Sequence, residues 1–392
     1  MGPLFITYFM VSSLTAIMVP YLQVILFNHG FSATTTGVLL SLYECAGIIG
    51  PFVIGAWSDR SGRPRLVSAV ITSVLIAAMV PVALSSHVAL TWLFLPVAGF
   101  FWRAVFPVQD AMAIKMLGSN MSRYTYVRAT LSAGYIILIL LYRVTGWLDA
   151  TDNGSLLVLL AIGGVLYLVS LAILPKDQAV PKHERTGSRW PLARSVSGEK
   201  VFSKTLVSAI IIIAVNRLAM SSINNFYSLY VGDMLGRPDL VGTLSSLAAF
   251  SELFFMVWAG YLLNRGVKPM SLIALSSVVL VVRLLLYALV PTLTGAVLGQ
   301  MLHSVVYGMF HPAVVVFISR NIAPQRRGTG MALYTSIGVG LPNVIGSAIG
   351  GVVIDAIGYR GLFASYALFA LAALALQWAW RKRLVEPSVA HS

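Results

Sequence analysis

The chain has 392 residues, 58% hydrophobic and 10% charged, with a formal net charge of +14. Soluble domains carry roughly 25% charged residues, so this composition, with a mean hydropathy of +0.85, excludes an ordinary water-soluble domain. The positive charge would suit a nucleic-acid partner only if it were clustered, and it is not: basic and nearly uncharged loops alternate along the chain.

A helix needs about 20 apolar residues to cross the hydrocarbon, and there it must satisfy its own backbone hydrogen bonds. Twelve stretches meet that length and are predicted as transmembrane helices: 4–28, 34–57, 66–85, 89–114, 124–148, 155–174, 203–232, 239–263, 269–290, 292–318, 328–354 and 361–380. No basic n-region or small-residue cleavage site precedes the first, which is expected to be a retained span rather than a signal peptide. The single Cys45 lies in the second span and rules out an intrachain disulfide. Between the sixth and seventh spans, 175–202 is polar and holds Pro175, Pro181 and Pro191. It is expected to be a cytoplasmic linker joining an N-terminal six-helix half, 1–174, to a C-terminal half, 203–392. Its basic residues suit contact with anionic lipid.

Twenty of the 27 Lys and Arg fall in 57–65, 115–125, 175–204, 264–268, 319–327 and 381–392. The opposite loops hold only Arg237 and Arg360. By the positive-inside rule the basic segments are cytoplasmic. Both termini are then cytoplasmic, and the chain is expected to be a multi-pass protein of the inner (cytoplasmic) membrane. The halves also repeat. At an offset of 205, Gly37 falls on Gly242, Gly55 on Gly260, Asp59 on Asn264 and Arg60 on Arg265, as in transporters built from internal repeats.

An ionisable group near the middle of a bilayer costs about 2.5–3.5 kcal/mol on insertion scales and normally faces a cavity or a partner. The spans contain Glu44, Arg103, Asp110, Arg128, Arg143, Arg217, Glu252 and Arg283, with His303 and His311 in the tenth. Arg143, at an outer end, could snorkel. Arg103 and Asp110, seven residues apart on one face, could neutralise each other, and Arg128 could be a topology charge. Glu252 is too deep to snorkel and points to function. His311 suits a packed, hydrogen-bonded role. His303, Tyr307 and His311 recur at steps of four and share a helix face. No His-Glu-x-x-His, Cys pair or second acid accompanies them, and nothing resembles a nucleophile with its base or a phosphate loop. An enzyme, a metal and a cofactor are therefore not expected. Asn224-Asn225-Phe226-Tyr227 in the seventh span supplies amide and aromatic groups suited to a solute, so Asn225 and Tyr227 join Glu44, Arg103 and Arg217 as candidate binding residues. Gly338, Gly340, Gly346, Gly350 and Gly351 suit close packing of the eleventh span.

The run Gly55-Ala56-Trp57-Ser58-Asp59-Arg60-Ser61-Gly62-Arg63-Pro64-Arg65 resembles the G-x-x-x-D-R-x-G-R-R loop between helices 2 and 3 of the major facilitator superfamily. Pro64 stands before Arg65 where that pattern ends. The resemblance implies an all-α membrane fold of twelve helices in two pseudo-symmetric six-helix bundles. It also implies a conformational-switch role for Gly55, Asp59, Arg60, Gly62, Arg63 and Arg65, with Asp59 pairing with Arg or capping a neighbouring helix N-terminus.

Within that superfamily the chain is similar to the lactose permease group and the related nucleoside and phenylpropionate proton symporters. Pro107-Val108-Gln109-Asp110-Ala111 resembles their Pro-x-x-Glu-Ala, Arg128 follows Asp110 by eighteen residues, and Tyr135 follows Arg128 by seven. Met301-Leu302-His303 resembles their helix 10 Met-Leu-His, and Arg283 precedes His303 by twenty. The chain departs in having Asp at 110, Tyr at 135, and Val306 in place of an acid. The resemblance implies solute binding by Asp110, Arg128 and Tyr135, and proton coupling by Glu252, Arg283 and His303, with Arg283 as the partner of Glu252. The expected activity is proton-coupled uptake of a small organic solute (an organic acid, sugar or nucleoside) by alternating access, with the solute, the proton and the bilayer as partners and the monomer as the working unit. The alternatives are a proton-driven exporter, whose usual Gly-x-x-x-Gly-Pro is missing from 124–148, and a non-transporting sensor.

Overall fold

The computed structural model describes residues 2–117, 121–175, 203–322 and 327–384. Beyond Pro175 the expected linker lies outside the described residues. Among those described, eleven helical stretches are long and apolar enough to cross a membrane. We number the helices α1 (Gly2–Asn28), α2 (Ala33–Ser61), α3 (Pro64–Leu84), α4 (Val88–Leu117), α5 (Met121–Thr145), α6 (Asn153–Ile173), α7 (Lys204–Met234), α8 (Pro238–Asn264), α9 (Pro269–Leu289) and α10 (Leu293–Asn321). The last stretch, Gly330–Ala379, is 50 residues long and breaks at Gly358, where φ is +73°. Glycine alone adopts that backbone at no steric cost. The stretch is therefore two helices, α11 (330–357) and α12 (359–379), which makes the expected twelve.

Local chemistry sets the helix ends. Ser32 accepts the Thr35 N–H at 3.1 Å and starts α2. Asp152 accepts from Gly154 and Ser155, both at 2.9 Å, and starts α6. Ser203 caps α7 and Thr292 caps α10 in the same way, satisfying amides that a helix start leaves open. At its far end α2 stops on Gly62, φ +64°, whose N–H returns to Ser58 O. Pro64 then occupies the first turn of α3, where a missing N–H costs nothing. Its departure from the superfamily pattern is thus a helix-start residue.

Two compact units form. The first takes residues 2–175 with Val231–Ser246. Here α2 lies along α4 so closely that a Cβ on Gly50 would meet the Phe100 carbonyl and one on Gly99 the Tyr43 carbonyl. Ser12 and Ser13 of α1 face Gly134 of α5 and Gly163 of α6. The second unit takes residues 203–230 with 247–384. Its first helix again carries a Ser-Ser pair, and Ser221 of α7 faces Gly346 of α11. The serine-on-glycine contact between first and fifth helices thus recurs in both units, as small-residue packing in membranes favours. On α6, Val158, Ile162, Val165, Val169 and Ile173 are exposed. Such an apolar stripe is a liability in water and the ordinary surface of a lipid-facing helix.

Candidate functional site

Each unit carries its own polar cluster among apolar helices. In the first unit Asp110 of α4 is held from two sides. Tyr8 of α1, fully buried, donates its hydroxyl to Asp110 Oδ1 at 2.6 Å, and Arg128 of α5 pairs with Oδ2. The Arg128 guanidinium also lies 5.6 Å from the centroid of the Phe106 ring. Arg128 is therefore a partner of Asp110 and not a free topology charge. Arg103, on the same face of α4, does not neutralise Asp110: it pairs with Glu44 of α2. The two pairs remain reachable, with side-chain exposures of 39% and 23% for Arg128 and Asp110. Tyr135, two turns further along α5, is buried. Beside the pair, Tyr167 donates to Gln109 Oε1 at 3.2 Å.

The second unit holds a cluster built on a buried arginine. Arg283 of α9 is 1% exposed and donates to Tyr287 Oη at 3.1 Å and Gln300 Oε1 at 2.9 Å. Its Nη1 lies 3.0 Å from His303 Nδ1. A guanidinium has donors only, so Nδ1 must accept. The proton of the neutral ring is then on Nε2, and that nitrogen lies 3.5 Å from Glu252 Oε2 of α8. The expected direct pairing of Arg283 with Glu252 is thus corrected: His303 stands between them, in one tautomer. At the same level α8 and α10 touch closely, and a Cβ on Gly308 would sit 3.0 Å from the Glu252 carbonyl oxygen.

Arg217 of α7, 2% exposed, lies over the Phe310 ring at 3.7 Å from its centroid and 5.6 Å from that of Tyr307. His311 Nδ1 and Tyr334 Oη are 3.1 Å apart, the packed role expected of His311. Asn225 is buried with no hydrogen-bond partner for Nδ2 among the described residues. Tyr227 borders the Arg283 cluster through Tyr287. It gives its hydroxyl to Ala296 O at 3.2 Å and packs on Tyr230 and Tyr287, as part of an aromatic core.

Among the expected switch-loop residues, Arg65 makes the contact to a neighbouring helix that was expected of Asp59. Arg65 donates to Leu174 O at 2.8 Å and Ala172 O at 3.3 Å, placing its charge on the C-terminus of α6, where the helix dipole favours a cation. Asp59 and Arg60 are exposed, and Asp59 makes no ion pair among the described residues. Gly62 and Pro64 shape the turn, while a Cβ on Gly55 would meet open space; Arg63 continues the chain between them. Tyr8, Gln300 and Tyr287 were not among the sequence candidates. Gln300 could have been found, three residues before His303 on the same helix face; Tyr8 is 102 residues from Asp110 and gives no local signal.

Charged clusters fastened across helices of a twelve-helix chain with repeated halves are the arrangement of a solute carrier, and residues 3–365 match the MFS_1 like family. The chain belongs to that family. It is a multi-pass membrane transporter of the major facilitator type. Among its relatives, the maltose permease of Geobacillus stearothermophilus is 24% identical over 363 residues, 90% of this chain and 87% of the permease. The uncharacterized transporter YwbF of Bacillus subtilis (strain 168) is 24% identical over 347 residues, 88% and 83% of the two chains. The fold matches that of the nucleoside transporter NupG with a TM-score of 0.80 at 16% identity, over 98% of this chain and 99% of that one. It also matches a bacterial homolog of the human lysosomal transporter Spinster, with a TM-score of 0.77 at 12% identity over 99% and 98%.

Proposed function

We propose that this transporter takes up a small organic solute by coupling it to inward proton flow, through alternating access. The observation that carries the reading is His303 held between Arg283 and Glu252. A second proton on the ring would set an N–H against the guanidinium N–H, so the imidazole stays neutral and the exchangeable proton belongs to Glu252. While Glu252 is ionised, its charge attracts the Nε2–H across 3.5 Å, a contact that a neutral carboxyl makes more weakly. Loading the proton weakens the tie between α8 and α10 and lets those helices shift. Arg283 is buried, while Glu252 keeps a side-chain exposure of 21%, which leaves the proton a way in.

In the first unit, Asp110 and Arg128 are the accessible pair and supply an acceptor and a planar set of donors for solute hydroxyl, carbonyl or amide groups. Tyr8 orients the carboxylate, Glu44–Arg103 extends the polar face, and Tyr135 closes it. A relative that is a maltose permease and a fold shared with a nucleoside transporter agree with a polar organic solute. The basic loops support an inner-membrane protein with both termini in the cytoplasm and two halves joined through 175–202, and we propose a monomer as the working unit. The test is uptake of labelled sugars, nucleosides and organic acids into proteoliposomes under an imposed pH gradient. Accumulation when the outside is acidic, lost on adding a protonophore, is expected. Expulsion under that gradient would establish the exporter instead, and equilibration indifferent to the gradient would refute coupling.

A further inference from the structure

Arg217 takes no part in the relay. It is buried beside the core residues Ile213, Phe310 and Tyr334, and its Cζ lies over the rings of Phe310 and Tyr307. A π-face answers the cation's charge but is not an oxygen or nitrogen acceptor for its N–H bonds. Two buried nitrogens of Arg217, Nε and Nη2, have no hydrogen-bond partner among the described residues. These two are the nitrogens whose N–H bonds run parallel along one edge of the plane, the fork that meets both oxygens of a carboxylate or phosphate. No acid forms an ion pair with Arg217 among the described residues, since the ion pairs engage Glu44, Asp110, Asp239 and Glu252 elsewhere. A buried charge left in this way is costly.

A second, independent feature converges on the same place. The backbone around Arg217 departs from the α-helix on two neighbouring helices. Ser304–Met309 of α10, which contains Tyr307, and Tyr334–Gly340 of α11 are both π-helical. In that second segment Gly338 faces Ile213, one turn before Arg217 on α7. Such wide turns occur mostly as single-turn insertions in α-helices, frequently at functional sites, and a third, Tyr230–Met234, lies elsewhere on α7. One turn and two turns beyond Arg217, the same face of α7 carries Ser221 and Asn224, and Asn224 is exposed on a helix that is otherwise largely buried.

We infer that Arg217 is a receptor for the acidic group of an anionic solute, binding a carboxylate or phosphate through Nε and Nη2. The inference rests on the transport reading for its physiological meaning, and binding can be measured without transport. The solute would bring the countercharge that the protein withholds, so the site is filled only when an acid is bound. A neutral sugar or nucleoside can accept hydrogen bonds from the fork but brings no countercharge to the buried cation.

Thermal unfolding of the detergent-purified protein tests this with benzoate, gluconate and inorganic phosphate, each set against chloride at matched ionic strength, with benzamide and glucose as uncharged counterparts. At least one oxyanion should raise the unfolding temperature, and its uncharged counterpart should not. A rise with benzoate or gluconate assigns a carboxylate, and a rise with phosphate alone a phosphate ester. Hydrogen bonds to charged groups are worth about 1.5–3 kcal/mol, so Arg217→Gln should weaken the stabilising anion by about ten- to a hundred-fold. Arg217→Lys should weaken it nearly as much, because an ammonium keeps the charge and loses the fork. Arg217→Met checks the fold: without ligand it should unfold at the wild-type temperature or above. Overturning results are equal shifts from acids and their uncharged counterparts, no shift from any oxyanion, an unchanged shift in Arg217→Gln, or ligand-free Arg217→Met unfolding well below wild type. Acid-selective binding without proton-driven uptake would sink the coupling reading and leave this one standing; proton-driven uptake of neutral solutes alone would do the reverse.

Discussion

Replacing Tyr8 by Phe removes one hydroxyl from a fully buried ring and leaves its packing in place. What is lost is the 2.6 Å hydrogen bond to Asp110 Oδ1, made between α1 and α4. Interhelical hydrogen bonds in membrane proteins average about 0.6 kcal/mol, and an ionised acceptor roughly doubles the strength. That gives about 1.2 kcal/mol for this contact. The Asp110 side chain is 23% exposed, so water can answer part of the loss, and about 1 kcal/mol is the expected value. A double-mutant cycle with Asp110→Ala isolates it, because the orphaned Arg128 is common to both Asp110→Ala corners and cancels. The readout is reversible unfolding in mixed micelles of mild detergent and SDS. Independent sites add within about 0.3–0.5 kcal/mol, so a coupling inside that margin would refute the bond as an energetic tie between the helices.

Three further outcomes are expected. Gly50→Ala should destabilise by about 1–3 kcal/mol, since its Cβ would meet the Phe100 backbone carbonyl, whereas Gly260→Ala, facing open space, should be neutral or slightly stabilising; equal effects in unfolding would contradict the α2–α4 contact. Arg65→Gln should cost about 0.3–1 kcal/mol by removing the cation from the carbonyls of Ala172 and Leu174, and an unchanged unfolding midpoint would dismiss that cap. In a Cys45→Ala background, needed because Cys45 is exposed, a cysteine introduced at position 152 should react with an impermeant reagent from outside and one at 190 should not; the opposite pattern would invert the topology.

Much of the fold was legible because bilayer chemistry is simple. Twelve apolar runs gave twelve helices, even where 330–379 runs on through Gly358 without a loop. The two spacings between charged residues also carried structural meaning. Arg128, eighteen residues after Asp110, meets it, and Arg283, twenty before His303, meets that ring. What the sequence withheld is which neighbour each face turns to. A separation of seven puts Arg103 and Asp110 on one side of α4, yet α2 presents Glu44 to the first while α1 and α5 present Tyr8 and Arg128 to the second. Periodicity along one helix cannot choose between helices. Glu252 shows the same limit: its acid and the Arg283 cation were visible, but not the imidazole that stands between them. Tyr227 shows another, since an Asn-Asn-Phe-Tyr run reads alike whether its ring packs on Tyr287 or meets solute.

The central claim is that Glu252 carries the coupled proton, and Glu252→Gln tests it most directly. The amide is fixed in the neutral form, like protonated Glu252, so the tie between α8 and α10 stays weakened and the helices can shift while the proton can no longer come and go. Two fluxes are measured in the same proteoliposomes: accumulation of solute under an imposed pH gradient, and exchange of labelled for unlabelled solute at equal concentration with no gradient. The account predicts that Glu252→Gln abolishes accumulation and retains exchange. A variant that still concentrates solute under the gradient would contradict it and move the proton to another acid, with Asp110 and Glu44 the next to test.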